Sequence, residues 1–158
     1  MRSVTWVLVL TEEEQGRRRD WFRRHWESGV PFNRLCGMKV ARWDSDGVTL
    51  NLPYAEQLSA HAGIFHGGVV SALIDTAATG AVMAGHDFDL GSQPVTLAMS
   101  VQYLSVAPGE DLVAEAACTK RGRTNFTEVR VSTAAGTLLA QGIVALAVTG
   151  RPPKGPVS

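Results

Sequence analysis

The sequence is poor in cysteine, balanced in charge and free of long apolar runs. Cys36 and Cys118 are the only cysteines among 158 residues, so a cysteine-rich zinc site is excluded, and we interpret both as free thiols in a reducing cytoplasm. Fifteen Lys and Arg residues balance fifteen Asp and Glu residues, which argues against a nucleic-acid-binding protein, because such proteins usually carry a basic surplus. No apolar run approaches the roughly 18 residues that span a membrane, so we predict no membrane partner.

Sequence signals of several other classes are missing as well. The chain has no G-x-S-x-G for a serine hydrolase, no P-loop and no G-x-G-x-x-G after a strand. The apolar run Val4–Leu10 is short, and acidic residues follow it in place of a small-residue cleavage site. We therefore predict no signal peptide, which agrees with the cytoplasmic location inferred from the thiols.

The composition is that of one folded domain. With 158 residues, 45% of them hydrophobic, the chain can bury about two-thirds of its unfolded surface without a metal or disulfide. The patterning predicts a helix, two strands with an Asp-Gly turn between them, an irregular segment, a long helix of small residues, a loop and four strands. Their predicted bounds, in chain order, are 11–28, 38–43, 48–52, 53–65, 67–84, 85–94, 95–106, 111–121, 124–133 and 138–148.

The order of these elements determines the predicted fold. The connections between the last four strands are short, and we therefore predict antiparallel hairpins between consecutive strands. The long helix is apolar nearly all round, which predicts that it is buried. The fold class is accordingly α+β, with an antiparallel sheet wrapped around one long central helix. The first helix is expected to begin with Thr11 as its cap, to dock its aromatic side on this body and to be followed by a short turn at residues 30–32.

Asp75 is the only ionisable residue in the long helix. Aspartate is a poor residue for a helix interior, and burying an unpaired carboxylate is costly. Two interpretations remain open from the sequence: the carboxylate reaches solvent or a loop at one exposed edge of the helix, or it belongs to a functional site.

The glycine pair at the start of the same helix is the second candidate feature. Gly67 and Gly68 expose backbone N–H groups at the positive end of the helix dipole, where they can hold an anion or a developing oxyanion. The alternative is a glycine-rich turn that only reverses the chain. His66 is either a hydrogen-bonding group of the site or a helix cap. His61 and His66 lack a third ligand and a suitable spacing, so we predict no metal site.

Two further sets of side chains carry weaker signals. The hydroxyl of Thr96, early in the strand after the long loop, can orient a water molecule, although threonine is also a common strand residue. Arg121, Gly122 and Arg123 form a tight basic hairpin tip that can bind phosphates. The alternative for this tip is an ordinary solvated turn.

The segment from His66 to Asp75 reads HGGVVSALID and resembles the HGG…D signature of hot-dog-fold acyl-CoA thioesterases of the PaaI-like type. The resemblance covers about residues 37–148. Later segments that share it are Pro94-Val95-Thr96, Val101-Gln102-Tyr103-Leu104, Pro108-Gly109, Lys120-Arg121-Gly122-Arg123 and Ala140-Gln141-Gly142. We therefore divide the chain into an N-terminal extension with a helix at residues 1–36, a hot-dog thioesterase domain at 37–149 and a frayed tail at 150–158.

The resemblance implies a hot-dog fold, in which a curved antiparallel sheet surrounds a central helix and two protomers pair edge to edge with the active site between them. It implies that Asp75 activates water or attacks the thioester, and that the Gly67 or Gly68 amide polarises the thioester carbonyl. It further implies that His66 positions the thioester or orders its loop, and that Thr96 holds the water or assists Asp75.

The same resemblance implies acyl-CoA as the substrate, with a free acid and coenzyme A as products and with no cofactor or metal. Arg121, Gly122 and Arg123 are then expected to contact the phosphates of coenzyme A. The expected assembly is a homodimer or a dimer of dimers. One position departs from the pattern, because many relatives have Asn six residues before the HGG histidine, where this chain has Ala60.

Two other functions remain open at this stage. A non-catalytic acyl-CoA-binding or sensing protein would use the same slot with an ineffective Asp75. A hot-dog hydratase is less favoured, because hydratases of this fold usually carry a different Asp and His arrangement near the helix. For the predicted thioesterase, the acyl group is expected to be aromatic or a medium to long aliphatic chain.

Overall fold

The computed structural model describes residues 11–45, 47–85 and 93–149 of the chain. The helices within these residues are α1 (Glu12–Arg24), α2 (Pro31–Cys36) and α3 (Gly67–Met83). The strands are β1 (Lys39–Asp44), β2 (Gly47–Leu52), β3 (Ser59–His61), β4 (Ile64–Phe65), β5 (Gln93–Tyr103), β6 (Leu112–Lys120), β7 (Asn125–Thr133) and β8 (Leu138–Thr149). Most of the predicted loop at 85–94 and the whole of the predicted tail at 150–158 lie outside the described residues.

Helix α1 starts with a reciprocal cap. Thr11 Oγ1 accepts a hydrogen bond from the Glu14 N–H at 3.2 Å, and the Glu14 carboxylate accepts one from the Thr11 N–H at 2.8 Å. The bond from the Thr11 N–H, followed by a second from the Thr11 hydroxyl at 2.9 Å, lowers the pKa of the Glu14 carboxyl, because both bonds favour its charged form. The prediction that Thr11 caps the first helix is confirmed.

The end of the first helix differs from the prediction. Helix α1 ends at Arg24 and continues as a π-helical turn, His25–Gly29. The turn predicted at residues 30–32 is wrong, because Pro31 begins the short helix α2. Proline suits the first helical position, where its missing N–H has no intrahelical partner to lose. Gly37, with a φ of 74°, ends α2 in the left-handed conformation.

Six strands form one antiparallel sheet in the order β1-β2-β6-β7-β8-β5. The predicted hairpin between β5 and β6 is wrong, because β5 pairs with β8 and β6 pairs with β2. Residues 104–111 instead carry the chain from one edge of the sheet to its interior. A short connection therefore did not imply neighbouring strands here, whereas β6-β7 and β7-β8 are the hairpins that were expected.

The segment predicted to be irregular contains local structure. Residues 53–65 hold a 3-10 turn at Glu56–Leu58 and a two-stranded pair, β3 with β4. Gly63, with a φ of 75°, occupies the turn between these strands. Strand β5 also begins two residues earlier than predicted and ends at Tyr103.

Helix α3 lies against one face of the large sheet. Its last turn, residues 80–83, is fully buried, as predicted for the helix, whereas Thr76 and Thr79 are half-buried and the first two turns reach the surface at Gly68 and, in part, at Ser71. Close packing requires glycine below the helix, because a Cβ added at Gly142 would lie 2.8 Å from a methyl carbon of Ile74. The α+β fold class, with a curved sheet around a central helix, is confirmed.

The N-terminal segment contributes to the same apolar core as α3. Phe22 is completely buried, and its ring stacks on those of Trp26 and Trp43 at centroid distances of 4.5 and 4.3 Å. The division at residues 1–36 and 37–149 stays a prediction. Both cysteines are free thiols, as predicted, and burial raises the pKa of Cys36. Among the described residues, no helix is both long enough and apolar enough to cross a membrane.

Candidate active site

The carboxylate of Asp75 meets a hydroxyl from the edge strand. Thr96 Oγ1 donates a hydrogen bond of 2.7 Å to Asp75 Oδ1. Asp75 is half-buried on α3, and Thr96 is exposed on β5. Within the described residues Asp75 Oδ2 has no hydrogen-bond partner. The structure therefore brings together two of the predicted site residues and leaves one carboxylate oxygen available for proton transfer or attack.

The two glycine amides at the start of α3 are not equivalent. His66 is the N-cap residue, and its Nδ1 accepts a hydrogen bond of 2.9 Å from the Gly68 N–H. The His66 N–H in turn donates to the Leu58 carbonyl at 2.9 Å. No described residue accepts a hydrogen bond from the Gly67 N–H. Of the two predicted donors, Gly67 alone is therefore open to a bound anion or oxyanion.

Tyr103 completes the surroundings of Gly67, and it was not singled out as a site residue from the sequence. Its hydroxyl donates a hydrogen bond of 2.9 Å to the Gly67 carbonyl and shares another with Ser71 Oγ. Gly67, Ser71 and Asp75 recur at intervals of four residues, which places them on one face of the helix. That spacing was the available signal for Ser71, whereas nothing in the sequence places Tyr103 beside Gly67.

An apolar groove of about 420 Å³ opens beside Gly67 and Tyr103. Its other walls include the apolar side chains of Ile64, Phe65, Val70, Leu104, Val106 and Leu139. Pockets of this kind, with mostly apolar walls and few polar groups, are typical of sites for small organic ligands. The groove lies next to the helix end at which the open N–H is located.

The basic hairpin tip lies at the opposite end of α3. Arg121 donates hydrogen bonds of 2.9 and 3.1 Å to the carbonyls of Val82 and Ala81, so its guanidinium caps the last turn of the helix. The Gly122 N–H donates to Asn125 Oδ1 at 3.3 Å. Arg123 is exposed and has no ion-pair or hydrogen-bond partner among the described residues. Its guanidinium is therefore available to bind a ligand, whereas that of Arg121 is bonded to α3.

One distance limits how these groups can cooperate. Gly67 and Asp75 are eight residues apart on one helix, which corresponds to about 12 Å. An oxyanion donor and a carboxylate acting on one carbonyl must both lie within about 3 Å of the reacting atoms. The two groups of one protomer are therefore too far apart to act on the same carbonyl.

In residues 11–45, 47–85 and 93–149, no three His, Cys, Asp or Glu side chains converge as metal ligands.

Comparisons with known proteins agree with this fold. The sequence pattern of the thioesterase superfamily matches residues 62–140. Human acyl-coenzyme A thioesterase 13 is 31% identical over 118 residues, which cover 73% of this chain and 72% of the human protein. A Halobacterium salinarum protein provisionally named an esterase is 37% identical over 102 residues, covering 61% of this chain and 67% of that protein.

A solved structure gives the same result. The crystal structure of a thioesterase-superfamily protein superimposes with a TM-score of 0.72 at 30% identity and covers 82% of this chain and 97% of the other. The chain belongs to the thioesterase superfamily and has its hot-dog fold. The predictions of a hot-dog fold and of a thioester hydrolase are confirmed, whereas the roles of individual site residues stay predictions.

Proposed function

We propose that the protein is a cytoplasmic acyl-CoA thioesterase that hydrolyses acyl-CoA to a free acid and coenzyme A. The observation that carries the proposal is the hydrogen bond from Thr96 to Asp75 on the helix face that meets β5. The similarity to acyl-coenzyme A thioesterase 13 supports coenzyme A as the leaving group. The free thiols Cys36 and Cys118 support a cytoplasmic location.

The active form is a homodimer that pairs two β5 strands. Strand β5 is an edge of the sheet, and Val95, Leu97 and Met99 are 45%, 56% and 40% exposed on it. An exposed apolar edge strand is a template for pairing with another chain. A two-fold axis near Ser100 joins the two edges into one continuous antiparallel sheet.

The register of β5 supports a shared site. Thr96 and Tyr103 pair with Leu146 and Ala140, which are buried under α3, so both side chains face the helix. They do so because the bulge between Thr96 and Ala98 inserts one residue. Antiparallel pairing about an axis near Ser100 then sets Thr96 opposite Tyr103 of the partner subunit.

Each of the two sites therefore draws on both protomers. The Gly67 N–H comes from one protomer, and the Asp75 carboxylate with its Thr96 hydroxyl comes from the other. His66 orders the helix start through its bond to Gly68. This arrangement resolves the separation of about 12 Å between Gly67 and Asp75 within one helix.

The reaction uses groups of the chain alone. The Gly67 N–H, at the positive end of α3, stabilises the negative charge that develops on the thioester oxygen. Asp75 either removes a proton from the attacking water or attacks the carbonyl carbon itself, and Thr96 holds the carboxylate in place. The thiolate of coenzyme A leaves readily, so a strong general acid is not required. The apolar groove beside Gly67 accepts an aromatic or a medium to long aliphatic acyl group.

The basic tip binds the phosphates of coenzyme A chiefly through Arg123. Arg121 and Gly122 hold the tip in shape through their bonds to α3 and Asn125. Arg123→Ala is expected to raise KM for acyl-CoA several-fold and to leave KM for a short thioester without a nucleotide unchanged. Equal effects on both substrates would remove the phosphate role.

The test of the function is thiol release from a panel of acyl-CoAs by the native chain and by Asp75→Asn. We expect turnover by the native chain and a loss of at least about 100-fold in the variant, the usual contribution of a positioned base. Asp20→Asn, an exposed aspartate on α1, is the matched control and should retain full activity. Near-full activity of Asp75→Asn would refute the carboxylate assignment. Thermal stabilisation by coenzyme A without any turnover would favour an acyl-CoA-binding protein.

A further inference from the structure

We propose that Tyr103 is a positioning residue that fixes the direction of the Gly67 N–H. The inference rests on the proposed function, because it concerns the oxyanion donor of that site. It goes beyond that function by assigning a role to a side chain outside the HGG…D signature.

The number of hydroxyl protons determines the direction of each hydrogen bond at Tyr103. The phenolic oxygen of Tyr103 has one proton, which it donates to the Gly67 carbonyl at 2.9 Å. The bond between Tyr103 and Ser71 must then use the Ser71 proton, with the tyrosine oxygen as acceptor. The tyrosine is thus committed to the Gly67 carbonyl, and Ser71 reinforces that orientation.

The bonds of Tyr103 and His66 converge on a single peptide unit. The Gly67 carbonyl and the Gly68 N–H belong to the same planar group. Tyr103 holds the carbonyl end at 2.9 Å, and His66 Nδ1 holds the N–H end at 2.9 Å. Two hydrogen bonds, from side chains in different parts of the chain, therefore restrain the peptide plane at both of its ends.

This restraint has an effect because both residues of the peptide unit are glycines. Two consecutive glycines at a helix start have wide backbone freedom, and the first turn of a helix has unpaired N–H groups. An oxyanion donor is effective when it is already aimed before charge develops. The Gly67 N–H itself lies in the preceding peptide unit, whose carbonyl, that of His66, accepts the Val69 N–H at 2.9 Å. Because the two planes share the Gly67 Cα, holding the Gly67–Gly68 plane as well restrains both backbone torsions of Gly67, through which this N–H could turn.

The ring of Tyr103, like its hydroxyl, lies beside Gly67. A Cβ added at Gly67 would lie 3.6 Å from the ring carbons, which is ordinary van der Waals contact. Tyr103→Phe therefore retains the ring over Gly67 and the wall of the apolar groove. It removes only the hydroxyl, so the substitution isolates the proposed role.

The chain offers a matched control, since it contains two tyrosines. The hydroxyl of Tyr54 also bonds one serine, Ser59 Oγ at 2.8 Å, and one backbone group, the Gly63 N–H at 3.0 Å. Tyr54→Phe thus removes a hydroxyl with similar partners from the β3-β4 turn. It does not touch the peptide plane at the start of α3.

The experiment compares steady-state kinetics of the native dimer, Tyr103→Phe and Tyr54→Phe on one acyl-CoA. We expect kcat of Tyr103→Phe to fall about tenfold, a part of the 100-fold or more that loss of an oxyanion donor costs. The KM of Tyr103→Phe should stay within twofold of the native value. The variant should remain a dimer, with an unchanged melting temperature. Tyr54→Phe should leave kcat unchanged.

Three kinetic results would overturn the inference while leaving the thioesterase proposal intact. They are an unchanged kcat in Tyr103→Phe, a raised KM with the native kcat, and an equal fall in Tyr54→Phe. If the native chain cleaves no thioester, the proposed function fails. Amide hydrogen exchange then tests whether Tyr103 restrains the start of α3. Amides in the first turn of α3 should then exchange faster in Tyr103→Phe than in Tyr54→Phe, and equal rates would overturn the inference.

Discussion

The two edges of the large sheet are built in opposite ways. Strand β1 is six residues long and carries Lys39, Arg42 and Asp44, and the Glu27 carboxylate accepts the Val40 N–H at 2.8 Å. Strand β5 is eleven residues long, has no charged residue and exposes large apolar side chains. Charges and covered N–H groups deter pairing with a second chain, whereas a long apolar edge invites it. The contrast indicates that the chain protects one edge itself and leaves the other to a second copy.

The N-terminal segment provides the protection of β1. Arg19 on α1 forms an ion pair with Asp44 at 3.1 Å, and Lys39 lies 3.7 Å from the Glu27 carboxylate. Ion pairs of this kind, with at least one exposed partner, contribute little stability individually. Their position is more informative than their strength, because they place α1 and the π-helical turn beside β1. Within the described residues, no comparable segment covers β5.

The largest effect is expected from a charge placed on the open edge. Ser100→Lys puts two like charges opposite each other across the proposed two-fold axis, which destabilises strand pairing. We expect a monomer by light scattering after size exclusion, and a loss of at least about tenfold in thioesterase activity, because each site needs both protomers. The matched control is Ala41→Lys, at an exposed position on β1, which should keep the dimer and the activity.

Two results would contradict this interpretation of the edges. An active Ser100→Lys monomer would show that one protomer contains a complete site. Dissociation of Ala41→Lys with an intact Ser100→Lys dimer would move the assembly to the β1 edge.

The next largest effect tests how far the N-terminal segment that covers the β1 edge stabilises the core. Phe22→Ala empties a completely buried position between Trp26 and Trp43. We expect the free energy of unfolding in urea to fall by about 3–5 kcal/mol, the usual range for a buried Phe→Ala change. Leu35→Ala, at a side chain that is 70% exposed, should change it by no more than about 0.5 kcal/mol. A loss below about 1 kcal/mol in Phe22→Ala would instead support residues 1–36 as a separable extension.

Local patterns in the sequence predicted the elements that their own residues determine. The glycine pair and the run of small residues identified α3, and the Thr11 cap identified the start of α1, because both depend on neighbours in the chain. The pairing of Asp75 with Thr96 was expected from the resemblance to hot-dog thioesterases, which implied that Thr96 assists Asp75. The first two signals are each contained within a few turns of chain.

The features that the sequence did not reveal depend on distant contacts. Strand β5 lies beside β8 because residues 104–111 cross the sheet, and short length alone favoured a hairpin. The guanidinium of Arg121 bonds the carbonyls of Val82 and Ala81, about 40 residues away in sequence, and the sequence did not indicate this contact. The contact between Tyr103 and Gly67 likewise joins an edge strand to a helix start. Propensity and spacing carry no information about such approaches, because the topology of the sheet creates them.

The smallest effect is expected at the β1 edge itself. Glu27→Ala leaves the buried Val40 N–H without its carboxylate acceptor, and the cost of such a lost partner is about 1–3 kcal/mol. Glu27→Gln is the control, because its amide oxygen can still accept this bond and should retain most of the stability. We expect urea unfolding to rank native, Gln and Ala in that order, and light scattering to show association of the Ala variant alone at high concentration. The Ala variant could instead match the native chain in stability and show no association. That result would mean that the packing of α1, and not the Glu27 carboxylate, protects β1.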